Sequence, residues 1–478
     1  FIMLPNKDLI IYNSLTSQKE KFNTINKDMV GMYVCGPTVY NTVHLGNCRT
    51  FISFDLIFRY FKHLGLKVRY VRNITDVGHL EDDSNEDKIS KRAAIEKLEP
   101  MEIVQKYTND FRNILKKFNV LSPDIEPTAT GHIIEQIEMI QKIIQNGYAY
   151  EKNGSVYFDL KAFTSKYKYG KLSNRNLEDI INESRLLQGS NEKKNPQDFA
   201  LWKNANESHI MKWHSPWGYG FPGWHIECSA MSHKYLGEKF DIHGGGIDLK
   251  FPHHDCEIAQ SESVYGENPA NFWIHTNMLT LNGKKMSKSI GNSVFPNEIF
   301  EGKNSIFSKS FSPMTLKFFM YQAHYRNTLD LSNTALLASE KAFEKIAQLS
   351  TDLQSVKVSD SSDLNANKWI DSCYDSLNDD FNSPKLIACF FELNKLINSV
   401  KKSKVQLDSK NKELYIKYFR IFSEDILGLN FNSKIDKQSE IVDILLELRE
   451  KERKNKNFET SDYIRKRLNS LGINVEDN

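Results

Sequence analysis

The sequence lacks most of what would mark a secreted, membrane-bound or wholly basic protein. No window approaches the ~20 consecutive apolar residues a bilayer-spanning helix needs, and Phe1–Tyr12 has no charged run leading into an apolar stretch. A soluble, cytoplasmic chain is the expectation. Cysteine is scarce: Cys35, Cys48, Cys228, Cys256, Cys373 and Cys389 are too few and too scattered for a disulfide framework, so reduced thiols or metal ligands are expected. A charge excess is also missing. Lys plus Arg (63) nearly balances Asp plus Glu (61), giving +2, so any contact with nucleic acid must be a local patch. Compositional bias toward disorder is absent, because 40% of residues are hydrophobic and 12% aromatic. At 478 residues the chain exceeds the roughly 250–300 that one hydrophobic core organises, so two to four domains are expected.

What is present begins with a βαβ pattern. Met32–Cys35 reads as a strand, Gly36-Pro37 as a turn, Phe51, Phe54, Phe58 and Phe61 as one face of a helix, and Lys67–Arg72 as a second strand. Such units build parallel sheets whose ligands lie at the carboxyl ends of the strands, which puts Cys35 and the loop after it at an active edge. A second α/β stretch follows, with strand Phe240–His243, a helix from His253 onward and a strand over Asn271–Leu281. Between the two, Tyr148–Phe158 carries Asn153-Gly154 among aromatic and β-branched residues, a hairpin signal. The expected class is therefore α/β: a Rossmann-type parallel-sheet domain split by an insertion, then a helical bundle and a small C-terminal domain. The divisions fall at 1–120 and 221–275 for the split domain, 121–220 for the insertion, 276–330 for a loop region, 331–430 for the bundle and 431–478 for the end. Asn432–Ser439 reads as a linker. Ile441–Ile473 reads as two short helices rich in Lys and Arg, fitting either RNA phosphate or a solvated hairpin.

Two distant motifs suit a nucleotide. His44-Leu45-Gly46-Asn47 stands where the first helix begins, and amides at a helix start favour phosphate. Far downstream, Gly283–Gly291 encloses Lys285 and Lys288, which could neutralise a departing pyrophosphate. Each alone has a plainer reading, as a capped helix start and a solvated turn. Cys35, Cys228, His253 and Glu257 have the residue types of a zinc site, and His253 and Glu257, four apart, would share one helix face. Spacing alone also fits buried thiols and an ordinary core histidine.

The ordered pair of nucleotide motifs resembles the signature of class I aminoacyl-tRNA synthetases, Lys285–Ser289 matching the second motif throughout. Tyr33–Tyr40, Trp217–Met231, His243–Gly246 and Phe251–His254 are similar to the cysteinyl-tRNA synthetase family, and the likeness spans nearly the whole chain, including Asn73–Asp76, Asp198–Lys203 and Asp379–Asn382. The resemblance implies ATP-dependent joining of L-cysteine to tRNA(Cys) by way of cysteinyl-adenylate, with one Zn2+ per chain held by Cys35, Cys228, His253 and Glu257. It implies that Thr75, Trp224 and His243 line the amino-acid pocket and that His44, Asn47, Lys285 and Lys288 serve catalysis. It further implies ATP, with Mg2+, at His44, Gly46, Gly244, Gly245 and Lys288, anticodon contact by the basic end, and a monomer.

Zinc has a physical reason in such an enzyme. Cysteine and serine are near-isosteres, which pocket shape separates by only about 100-fold, whereas a soft metal tests ligand affinity and ionises a thiol of pKa ~8.5. The insertion is too short for a large editing domain. Three departures from the family are visible. Asn47 replaces a usual histidine and cannot become cationic; Cys256 replaces a usual Asn and is a candidate substitute for Glu257 as ligand; and the family's short tail beyond Asp477 is missing, implying weaker anticodon affinity. A cysteine ligase acting on an amino sugar and a non-catalytic tRNA-binding paralogue are rival readings. The basic end disfavours the first, and the intact Lys285–Ser289 and ligand positions the second.

Overall fold

A short antiparallel hairpin, β1 (Ile10–Asn13) and β2 (Gln18–Lys21), precedes the first central strand. That strand, β3 (Met29–Val34), is buried on both faces, as the run Met-Val-Gly-Met-Tyr-Val requires of a strand covered by helices on each side. The first crossover helix, α1 (Leu45–His63), returns the chain to β4 (Lys67–Arg72), which pairs parallel to β3 with Met32 opposite Tyr70. Phe51, Phe54, Phe58 and Phe61 are each at most 4% exposed, so each contributes roughly 1.5–3 kcal/mol of burial to docking α1 on the sheet. The computed structural model describes residues 7–78, 88–175, 192–207, 209–286, 291–431, 437–455 and 457–470.

The insertion folds as a five-stranded antiparallel sheet. Its strands are β5 (Ala149–Lys152), β6 (Ser155–Phe158), β7 (Phe199–Asn204), β8 (Trp213–Ser215) and β9 (Gly218–Pro222), in the order β5-β6-β7-β9-β8. The expected hairpin is there, with Asn153 and Gly154 at φ 53° and 78°, the left-handed pair that a two-residue turn needs to match strand twist. Its apolar face, with Val156, Phe158 and Trp202, packs with Ile226, Cys256 and Ala259 from the helices that follow.

The second half of the parallel sheet is β10 (Phe240–Gly246) and β11 (Ala270–Thr276), giving the order β11-β10-β3-β4. Chain direction across the sheet therefore reverses between β3 and β10, and a crevice at the carboxyl ends of strands at such a switch point is where α/β folds bind ligands. Gly244 is required here: a Cβ on it would stand 2.1 Å from the Phe54 ring, so its absence lets α1 lie against β10.

The helix expected from His253 onward is present: the chain kinks at the extended residue Phe251, turns helical after Pro252, and continues as Asp255–Tyr265. One expectation needs correcting. The strand expected over Asn271–Leu281 is two strands in different sheets: β11 ends at Thr276, and β12 (Leu279–Leu281) joins β13 (Lys284–Lys285) and β14 (Leu329–Leu331). The break at Asn277-Met278 has a cause, since Arg49 of α1 donates to both carbonyls, at 2.9 and 2.7 Å.

Helices Asn333–Ser355, Ala366–Asn378, Ser383–Lys401 and Ser409–Arg420 then form a bundle. The chain divides into two compact units, Phe1–Leu429 and Asn430–Asn478. The second holds helices Lys437–Lys454 and Phe458–Ser470; of the expected linker, 432–436 lie outside the described residues and Lys437–Ser439 are already helical. Among the described residues no helix is long and apolar enough to cross a membrane.

Candidate metal centre and nucleotide cavity

Four elements converge at the switch point. Cys35 follows the end of β3, Cys228 lies in the helix Trp224–Leu236, His253 in the helical turn after Pro252 and Glu257 in the first turn of Asp255–Tyr265, which continues from it. All four are at most 5% exposed, and their ligand-type atoms lie within 4.8 Å of one another. The two sulfurs are 3.7 Å apart; thiolates sharing one tetrahedral ion through bonds of ~2.3 Å stand about 3.8 Å apart. His253 Nε2 is 3.1 Å from Glu257 Oε1, yet it has no hydrogen-bond partner of proper geometry and no access to solvent. A buried, uncommitted imidazole nitrogen beside two thiols and a carboxylate fits a zinc ion in type and in number.

The electrostatics divide the cluster, drawing Cys228 and Glu257 down while Cys35 and His253 are raised. Burial pushes the Cys228 thiol up, but the hydrogen bond with Cys35 and the neighbouring His253 imidazole outweigh it and bring it down to about 6. Burial, then Cys228, then Glu257 hold Cys35 well above the usual thiol range, so Cys228 ionises first. Burial would raise Glu257 as well, yet His243 and His253 draw it down to about 2.

Sequence reasoning missed the histidines around this centre. His225 Nδ1 is 2.9 Å from His253 Nδ1; His254 Nε2 is 3.4 Å from Cys35 Sγ; and His254 Nδ1 is 2.9 Å from His275 Nε2, whose ring in turn meets Ser14 Oγ at 2.8 Å. Hydrogen bonds of this kind fix the orientation of metal ligands. Cys35, His243, His254 and Glu257 also come within 4.8 Å of one another, but both nitrogens of His254 are engaged, whereas His253 Nε2 is not. The only signal in the sequence was the adjacency of His225 to Trp224 and of His254 to His253.

Cys256 is elsewhere. Its sulfur lies 3.3 Å from the Tyr169 hydroxyl, within the apolar cluster of the insertion. One residue before Glu257, it is turned about 100° around the helix, so the exchange with Glu257 finds no geometry here.

Next to the donor cluster is a cavity of about 340 Å³, lined by Cys35, Thr38, His44, Gly46, Asn47, Trp224, Gly246, Met278 and Lys285 among others. His44 is the N-cap of α1, and Asn47 spends its side-chain oxygen on the His44 backbone N–H at 3.3 Å. A Cβ on Gly46 would meet the His44 ring at 2.9 Å, so glycine keeps the helix start open. Other expected residues stand back from the cavity. Thr75 is buried, its hydroxyl accepting from Asn73 Nδ2 at 3.1 Å; His243 is buried under Glu257; and Gly246, rather than Gly244 or Gly245, reaches the lining. Lys285 is exposed on the rim, while Lys288 lies outside the described residues.

Residues 21–341 match the catalytic domain of the tRNA synthetases class I (C), and residues 373–432 match the DALR domain. A cysteine–tRNA ligase of Bacteroides thetaiotaomicron is 50% identical over 98% of this chain and 97% of its own length. The chain belongs to the cysteine–tRNA ligase family. The ligase of Cytophaga hutchinsonii is similarly related, 51% identical over 98% and 97% of the two chains. Among solved structures, methionyl-tRNA synthetase of Mycobacterium tuberculosis in complex with methionyl-adenylate superposes with a TM-score of 0.59 at 14% identity, covering 83% of this chain and 89% of that one. That likeness bears on the fold alone: a class I catalytic domain on a parallel sheet, followed by helices. In this ligase all four candidate metal donors, the start of α1 and Lys285 fall inside the matched catalytic segment.

Proposed function

We propose that the chain activates L-cysteine with ATP to cysteinyl-adenylate and passes the cysteinyl group to tRNA(Cys), selecting its substrate through one zinc ion held by Cys35, Cys228, His253 and Glu257. One observation carries this reading: Cys35 belongs to the donor cluster and also lines the cavity that opens at His44 and Gly46. A side chain read by its sulfur would then have its carboxylate within the same cavity as a nucleotide. Zinc, when bound, would supply a soft Lewis acid that favours a thiol over a hydroxyl. His243 and His225 would orient Glu257 and His253, and Trp224, whose ring lies 4.5 Å from that of His253, would close the pocket on one side.

In the first step a carboxylate oxygen of cysteine attacks the α-phosphorus of ATP, and the bond to pyrophosphate breaks. The reactants need alignment, and the charge gathering on the departing oxygens needs neutralising. Amides at the start of α1, His44, Lys285 and Lys288 supply these, with magnesium accompanying ATP. In the second step a ribose hydroxyl at the end of the tRNA attacks the adenylate carbonyl and AMP departs. The basic helices after residue 430 contact the anticodon arm, and the enzyme works as a cytoplasmic monomer.

Cysteine-dependent exchange of pyrophosphate into ATP, followed by charging of purified tRNA, tests the proposal. Both activities are expected. Exchange without charging would reassign the acceptor, and exchange that serine supports equally would remove the role given to zinc.

A further inference from the structure

Asp380 is wholly buried at the head of the bundle helix Ser383–Lys401, inside the segment that matches the DALR domain. It and Phe381 hold φ of 62° and 52°, a left-handed pair that non-glycine residues adopt only where their surroundings hold them there. Every oxygen of Asp380 is committed. Oδ1 accepts from the Tyr325 hydroxyl at 2.6 Å and from the Tyr12 N–H at 3.0 Å, Oδ2 accepts from Arg326 Nε at 2.6 Å, and the main-chain oxygen meets His324 Nε2 at 3.0 Å. The carboxylate thus fixes Tyr325 and Arg326, and the main-chain oxygen fixes His324 beside them on the same connecting segment.

The other side of that segment forms the floor of the nucleotide cavity. Asn277 donates its backbone N–H to the Tyr325 carbonyl and its side-chain amide to the Arg326 carbonyl, both at 2.8 Å. Asn277 and Met278 line the cavity, and the chain runs from them through β12 to Lys285. Arg49, buried in α1, closes the loop: one arm of its guanidinium donates to the Asn277 and Met278 carbonyls and the other to those of His324 and Asn327, at 3.2 and 2.6 Å. Two hydrogen-bonded steps therefore separate the bundle carboxylate from the cavity, and neither passes through the metal centre.

We infer that Asp380 is a positioning residue for ATP: from the bundle it fixes Tyr325 and Arg326, and through them the Asn277–Met278 wall and the approach of the Lys285 strand. The inference rests on the assignment of the cavity to ATP. It separates the two small substrates, because the sulfur-reading cluster is carried by the end of β3, the helix Trp224–Leu236 and the segment His253–Glu257, to none of which Asp380 is hydrogen-bonded.

The full-length enzyme with Asp380→Asn should show an ATP KM in cysteine-dependent exchange raised by about fivefold or more, with the cysteine KM changed by less than about twofold, after rates are normalised to active sites by adenylate titration. Zinc content should not change. A purely structural role would lower the count of active sites and leave both KM values alone; that result, or an equal rise in both, overturns the inference. Should Asp380→Asn fail to fold, Tyr325→Phe removes one donor only and should raise the ATP KM alone, by about two- to threefold; an unchanged value overturns the inference. If the unsubstituted enzyme shows no cysteine-dependent exchange, the proposed function fails separately, and equilibrium dialysis of ATP alone against both proteins still decides, a weaker Kd supporting Asp380 and an equal Kd overturning it.

Discussion

His243 Nε2 lies 2.8 Å from Glu257 Oε2, both buried, while the other oxygen of the carboxylate faces His253 and Cys35. A carboxylate held on one oxygen by a fixed imidazole offers the second in a single orientation, as a metal ligand must. His243→Asn should therefore weaken zinc binding by about 10–100-fold while leaving the fold intact. Competition with a chromogenic chelator reads this directly, and an unaltered affinity would contradict the supporting role.

Cys256 makes the complementary case. With its sulfur against the Tyr169 hydroxyl, Cys256→Ala should leave zinc content at the level of the parent enzyme. Stability should fall by about 1 kcal/mol, from a small void and a buried hydroxyl left without its partner. Urea unfolding and metal analysis of the same sample check both halves; lost zinc would restore Cys256 as a ligand.

Lys285 stands exposed on the cavity rim, away from the cluster of sulfur and imidazole. Lys285→Ala should lower kcat for exchange by about 100-fold, as loss of a charge that acts mainly on the transition state does, with little change in the cysteine KM. A change confined to the cysteine KM would move this residue into the amino-acid pocket.

Lys317 is wholly buried against Asp55 at 2.9 Å, and burial brings its ammonium down to about 8. The unfolded chain holds the same proton until about pH 10.4, so between these values the unfolded state binds more protons and folding gains stability as pH rises. Relative to Lys317→Met, in which Asp55 keeps Arg59 as partner, the parent should gain on the order of 2 kcal/mol between pH 7 and 9.5. Denaturant unfolding of both proteins at the two pH values measures it; a difference that stays flat or falls would contradict the burial of a charged lysine.

How far the sequence could be read depended on the range of the interaction. β3, α1 and the hairpin at Asn153-Gly154 follow from local patterns: an apolar run, four phenylalanines on one helix face, and a dipeptide suited to left-handed backbone. The donor set was legible as residue types, because thiols, imidazole and carboxylate together suggest zinc. Its supports, His225, His254 and His275, were not, since only the pairing of β10 and β11 with the rest of the sheet brings them near. Asn271–Leu281 read as one strand for the same reason. The apolar pattern is continuous there, and nothing nearby announces that Arg49, more than 200 residues earlier, captures the carbonyls where the strand breaks.

Zinc K-edge X-ray absorption on the purified full chain, alone and with L-cysteine or L-serine, tests the capture of the substrate's sulfur most directly. Two sulfur ligands at rest, from Cys35 and Cys228, should become three with cysteine and stay at two with serine. A chain that charges tRNA without stoichiometric zinc, or a sulfur count indifferent to cysteine, would contradict it.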